Sequence, residues 1–201
     1  MASLLFHSGN RELQDEFGSR RIADRLEQVT LRREFSAEDR AFIEGVEFFF
    51  LATADAVGRP DCSFKGGAPG FVRVTGGDEI AFPDYDGNGM FKSLGNIRAN
   101  PEVGLLFIAM GERPRRLRVN GTATVTRDDA ELAAFVGAQL LVRVRARAIF
   151  PNCPRYIPGP DGPSIYIPRA GTAPVEPAWK SFDSFRDAVP PRLKLPGDGD
   201  A

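Results

Sequence analysis

From Phe48 to Gly121 the chain reads as strand-length runs punctuated by turn residues, with one short helix in their midst. The runs are FFFLATAD (Phe48–Asp55), DCSFKG (Asp61–Gly66), GFVRV (Gly70–Val74), EIAFPDY (Glu79–Tyr85), VGLLFIAM (Val103–Met110) and RRLRVNGTATV (Arg115–Val125). Their lengths, β-branched and aromatic content, and flanking Gly and Pro are strand signals. Asp55–Pro60 and Thr75–Asp78 read as hairpin turns, the glycines of the second expected to supply positive φ. Between two of the runs, GNGMFKSLGNIRANP (Gly87–Pro101) places Met90, Leu94 and Ile97 at helical spacing. Asn100-Pro101 ends that helix, because a residue before proline is pushed out of helical backbone.

The flanks add helices and further strands. Residues 9–32 carry Leu13, Phe17, Ile22, Leu26 and Val29 as one apolar helical stripe, interrupted near Gly18. SAED (Ser36–Asp39) is a capping-box start for a second short helix. DDAELAAFVGAQLL (Asp128–Leu141) is expected to be helical, with acidic residues in its first turn. VRVRARAIF (Val142–Phe150) alternates, with Val142, Val144, Ala146 and Ala148 on one face and three arginines on the other. SIYIP (Ser164–Pro168) reads as a short strand, and the Pro-, Gly- and Asp-rich stretch Pro190–Ala201 as disordered. Hairpin-linked strands with grouped helices predict a mainly β, α+β fold: a six-stranded antiparallel Greek-key split β-barrel with flanking helices. The expected division is a helical arm over residues 1–46, the barrel over 47–180 and a C-terminal extension over 181–201.

Composition removes several kinds of chemistry. A net charge of −1 is not tuned to nucleic acid. No apolar run approaches the ~20 residues that span a bilayer. No charged leader precedes a long apolar stretch, so no secretory signal is expected. Cys62 and Cys153 make no disulfide framework and point to cytoplasmic thiols. With His7 as the one histidine, neither a zinc site, an axial haem ligand nor a Ser-His-Asp triad is expected, and His7 reads as a surface residue of the N-terminal arm.

What remains favours an anion with a ring attached. Lys65 ends a strand beside Gly66 and Gly67, where it can reach a phosphate while the glycines let backbone approach closely. Alone, it reads rather as an edge lysine guarding against aggregation. The helix beginning near Gly87 offers free amides, with Lys92, Ser93 and Asn96 close behind. Alone, that is an ordinary surface helix with an Asn cap. Together the two suit a phosphomonoester, which takes donors from several elements. Arg116 and Arg118 share a strand face, placing one to meet the pyrimidine edge of a flavin or both in solvent. Arg143, Arg145 and Arg147 read as a solvated or dimer-facing row. Cys62 reads as a small buried apolar group and Trp179 as packing.

The ordered blocks FLATAD, GRPDCSFKGG, GFVRV, IAFPDYDGNGMFKSLGNIRANPEVGLLFI and RRLRVNGTA, preceded by HSGNRELQ (His7–Gln14), resemble the pyridoxamine 5′-phosphate oxidase-like FMN-binding split-barrel family. The likeness is to its pyridoxamine 5′-phosphate oxidase-related branch and covers roughly residues 7–180. It implies a homodimer with FMN at the subunit interface. It assigns Lys65, Lys92 and Ser93 to the FMN phosphate and Arg116 to the isoalloxazine ring. Ser63, Phe64, Asp84, Tyr85, Asn88 and Met90 would line the flavin, with Asn96 in the same helix. The family's type enzyme ends in an Arg-x-His motif that grips substrate phosphate, and PPRLKLPGDGDA has none. The expectation is therefore a cytoplasmic FMN oxidoreductase passing a hydride through flavin N5 to or from a small molecule or nicotinamide donor, without vitamin B6 oxidation. A non-catalytic flavin carrier or sensor, and a deazaflavin-dependent reductase on the same barrel, stand as alternatives.

Overall fold

A computed structural model describes residues 3–191. They fall into two compact units. One comprises the described residues of Met1–Leu31, Met110–Glu112 and Pro154–Ala201; the other is Arg32–Ala109 with Arg113–Cys153.

The second unit holds the sheet. Its strands are β1 (Phe48–Ala54), β2 (Pro60–Gly66), β3 (Arg73–Val74), β4 (Glu79–Tyr85), β5 (Glu102–Ala109), β6 (Arg115–Thr126) and β7 (Ala138–Asn152). They lie in the order β2-β1-β5-β6-β7-β4-β3, every neighbour antiparallel. The α+β split-barrel architecture stands. The count is seven strands rather than six, and β2 and β3 remain open edges, β3 joining through the pairs Arg73–Ala81 and Val74–Ile80. Only those two residues of the expected strand Gly70–Val74 join the sheet. Gly70 turns at φ +87, and Phe71 closes a turn onto the Ala68 carbonyl.

Alternation along the strands buries one face. Phe49 and Phe107 are fully buried and Phe82 nearly so, with ring centroids 5.1 and 4.9 Å from that of Phe49. Leu51, Leu105, Leu117, Val119, Val142, Val144 and Ile149 complete this core. The helix before β1, α3 (Ala37–Gly45), starts as expected: Ser36 Oγ accepts the Asp39 N–H and the Asp39 carboxylate accepts the Ser36 N–H, each at 3.1 Å. Asp39 also takes a two-pronged contact from the Arg32 guanidinium at 2.8 and 3.0 Å. The helix after β4 is α4 (Lys92–Ala99), ended at Asn100 before Pro101.

Three local expectations are corrected. The stretch 128–141 is not helical: one 3-10 turn forms at Leu132–Ala134, and β7 begins at Ala138. Gly137 breaks the path at φ +81, Phe135 is buried against Ala81 and Leu141, and Leu140 and Leu141 pair with Asp84 and Pro83. Sheet pairing thus overrides helix propensity. At the β3–β4 turn neither Gly76 nor Gly77 has positive φ. The turn instead closes through the Thr75 N–H on the Glu79 carbonyl (2.9 Å) and the Thr75 hydroxyl on the Glu79 carboxylate (2.9 Å). Ser164–Pro168 is a turn, the Ile167 N–H reaching the Ser164 carbonyl at 3.1 Å.

The first unit contains α1 (Ser8–Glu16) and α2 (Arg20–Thr30), separated where Gly18 adopts φ +59. His7 is exposed at the N-terminus of α1. Ile22, Phe185 and Ala188 form a small core, with Trp179 edge-on to Phe185 at 5.6 Å. Residues 192–201 of the expected disordered tail lie outside the described residues. No helix among the described residues is long and apolar enough to cross a membrane.

Candidate functional site

Edge strand β2 and the far end of β4 sit at opposite margins of the sheet order, yet both line one cleft of ≈ 770 Å³. The first turn of α4, the loop that precedes it, and Gln139 at the start of β7 complete its walls. The cleft therefore occupies the seam where the curved sheet fails to close.

Its polar end is built from two elements. Ser93, buried in the first turn of α4, donates its hydroxyl to Ser63 Oγ on β2 at 2.9 Å. Lys65 lies two residues further along β2, on the same face as Ser63, and exposed Lys92 precedes Ser93. Among the described residues neither lysine has an ion-pair partner. Phe91, the residue before α4, holds left-handed backbone at φ 47, ψ 29, and no side chain caps the helix. Among the described residues no side chain caps the first-turn N–H groups of α4, and with the helix dipole they favour an anion.

The other walls are aromatic and acidic. Phe64 is 62% exposed on β2 and stacks on Phe48 at 5.3 Å. Met90 is 71% exposed at the rim, where its N–H binds Asn88 Oδ1 at 3.1 Å. Asp84 is fixed by Gln139, whose Nε2 donates to Asp84 Oδ2 at 3.2 Å and to the Tyr85 carbonyl at 3.1 Å.

The cleft brings together Ser63, Phe64, Lys65, Asp84, Tyr85, Asn88, Met90, Lys92 and Ser93. Asn96 and Arg116 are placed elsewhere. Asn96 is buried, its Nδ2 donating to Thr53 Oγ1 at 3.0 Å. Arg116 reaches the Cys153 carbonyl, leaving its Nε buried without a partner. Met90 does not share a helical face with Leu94 and Ile97, because α4 starts two residues after it. Cys62 is exposed and lines the cleft rather than being buried, since β2 is an edge strand.

Gln139 and Phe91 were not anticipated as cleft residues. Gln139 lies in the stretch read as helix, and left-handed backbone at a phenylalanine has no compositional signal. Asp61 and Asp86 add acidic groups to the same walls.

The arginine row on β7 is occupied by carboxylates. Arg143 bonds Asp129 at 2.5 and 2.9 Å and Glu79 at 2.8 Å, and Arg147 bonds Glu102 at 2.7 and 3.0 Å. The hydrogen bond from Arg143 holds the Asp129 carboxyl below its ordinary range, and the same bond raises the Arg143 guanidinium. Among the described residues no group of three or more His, Cys, Asp or Glu side chains could hold a metal ion.

No curated protein matches the chain. Three similar solved structures are HupZ from Group A Streptococcus, the heme storage protein HutZ from Vibrio cholerae, and an FMN-binding protein from Syntrophomonas wolfei subsp. wolfei. HupZ is 19% identical, covering 58% of this chain and 93% of its own, with TM-score 0.48. HutZ is 19% identical, with coverages of 58% and 94% and TM-score 0.43. The Syntrophomonas protein is 12% identical, with coverages of 72% and 95% and TM-score 0.43. Similarities this low carry no argument about ligand or activity. The family model described as pyridoxamine 5'-phosphate oxidase matches residues 35–162, which include every strand of the sheet and the whole cleft. By that match the chain is a member of the pyridoxamine 5'-phosphate oxidase family.

Proposed function

We propose that the seam cleft binds FMN and that the protein is an FMN-dependent oxidoreductase acting on a small molecule, with a nicotinamide as a candidate donor. One observation carries this reading: two lysines without ion-pair partners, a pair of serine hydroxyls and an uncapped helix start converge in a single cleft. Its volume lies within the roughly 300–1,000 Å³ of small-molecule sites. A phosphomonoester suits this donor set, because its charge of about −2 calls for several donors from separate elements.

In this reading Lys65, Lys92, Ser63, Ser93 and the α4 amides hold the phosphate. Phe64, Tyr85 and Met90 cover apolar ring surface, and Gln139 holds Asp84 at the rim. Bound flavin would supply two-electron chemistry through its N5; the protein binds it and orients it. A deazaflavin would call for an extended basic groove, and Arg143 and Arg147, which could have lined one, are paired with carboxylates.

A homodimer is part of the proposal. Phe48, Phe50 and Phe64 pack ring to ring on the outward face of β1 and β2, beside Leu106 and Ile108 of β5, and a second copy would cover that face. Two free cysteines support the expected cytoplasmic location.

The test is the visible spectrum of the purified protein, with identification of any chromophore released on denaturation. Flavin bands and released FMN are expected, and Lys65→Ala combined with Ser93→Ala should weaken FMN binding by roughly 2–5 kcal/mol. A colourless protein that takes up no added FMN overturns the reading. Full retention of FMN by the double variant overturns the phosphate assignment.

A further inference from the structure

Helix α4 and its C-terminal cap are tied to the β1–β2 hairpin by three polar side chains. Ser93 donates to Ser63 on β2 at 2.9 Å. Asn96, three residues on, donates to Thr53 on β1 at 3.0 Å. Asn100, four residues further, donates to the Asp55 carbonyl in the hairpin turn at 3.3 Å. The step of three keeps Ser93 and Asn96 on one side of the helix, and Asn100 follows as its extended cap. The middle bond is the most demanding. Thr53 and Asn96 are 4% and 5% exposed, so water does not replace either partner. An apolar contact would serve packing there, whereas a hydrogen bond fixes direction and register.

We infer that Thr53 and Asn96 are positioning residues for the anion end of the cleft: their buried hydrogen bond holds α4 in the register that aims its first-turn amides and Ser93 at the phosphate. The inference rests on the flavin reading given above. It accounts for Asn96 standing in the binding helix without lining the cleft. It also gives the Ser63–Ser93 pair a defined part: with one hydroxyl proton used between the two oxygens, the other is left to be donated to a phosphate oxygen. Loss of the Thr53–Asn96 bond would let α4 slide or rotate on the hairpin, and donors placed for one oxygen cage would miss it.

The experiment compares FMN with riboflavin, which has the same ring system and no phosphate, by fluorescence titration of the wild type, Thr53→Val, Thr53→Ser and Asn100→Ala. Thr53→Val keeps the shape but leaves the Asn96 amide without its acceptor. It should lose roughly tenfold in FMN affinity, with riboflavin affinity unchanged within about twofold. Thr53→Ser restores the hydroxyl and should bind FMN within about threefold of the wild type. Asn100→Ala removes the outermost tie, a milder change that keeps the test open if Thr53→Val does not fold, and should lose about threefold for FMN alone. Parallel loss of FMN and riboflavin would mean general loosening and overturns the positioning role, as would unchanged FMN binding in Thr53→Val. A wild-type protein that binds neither ligand overturns the flavin reading itself, and this inference with it.

Discussion

Gly121 lies at the bulge where β6 slips register against β7, between the Asn120–Ala148 and Gly121–Ala146 pairs. A Cβ built there would run into the backbone carbonyl of Arg145, which cannot move without disrupting the β4–β7 ladder. Gly121→Ala is therefore expected to lower stability by roughly 2–4 kcal/mol in chemical denaturation, and a loss under about 0.5 kcal/mol would show that the bulge yields. The sequence carried no hint of this, since a bulge glycine and a loosely packed one read alike. The binding residues were more legible. Lys65 stands at a strand end and Ser93 in a helix's first turn, so local pattern alone placed each near an end of its element. Their meeting in one cleft followed only from the resemblance and then from the fold. Asn96 shows the limit. Its helix was read correctly, but whether a polar side chain faces a ligand or a buried threonine depends on what lies opposite, and that information sits on β1.

The largest misreading among the elements was residues 128–141. Leu132 and Phe135 satisfy a helical template, but Arg143 on β7 captures Asp129 and Phe135 inserts beside Leu141, which turns the segment into a strap across the sheet. The Arg73 guanidinium stacks on the Phe135 ring at 4.1 Å and donates to the Ala134 carbonyl at 3.0 Å, fastening the strap from the other side. Long-range partners decided the outcome, and no local window contains them. Because the folded Asp129 carboxyl is held below its unfolded value of about 3.9, its contribution is present above that pH and is lost as pH falls through the folded value. Asp129→Asn should thus cost roughly 1–3 kcal/mol at pH 7, with the deficit against the wild type shrinking below about pH 4. Urea titrations at pH 7 and pH 3 check this; an equal deficit at both would remove the carboxylate from the explanation.

For the whole molecule, the apolar outward face of β1, β2 and β5 sets an expectation for assembly. Phe64 is 62% exposed, so Phe64→Glu removes little buried area from a single chain but places a charge in any interface formed there. Light scattering should show the wild type as a dimer and Phe64→Glu as a monomer; a monomeric wild type, or a dimeric variant, rules this face out. The architecture was legible in advance because hairpin spacing and alternation repeat across more than seventy residues. The unclosed seam was not, since it depends on how far the sheet curls. That seam has an evolutionary consequence. The large side chains that are fully buried, such as Phe49, Phe107 and Leu117, belong to the interior, whereas the cleft draws on the sheet's margins and the loop between β4 and α4. Phe71 and Leu94 belong to both, but most of the core stands apart from the cleft wall. Substitutions along the seam can therefore change what the cleft accepts while most of the interior that holds the fold stays intact.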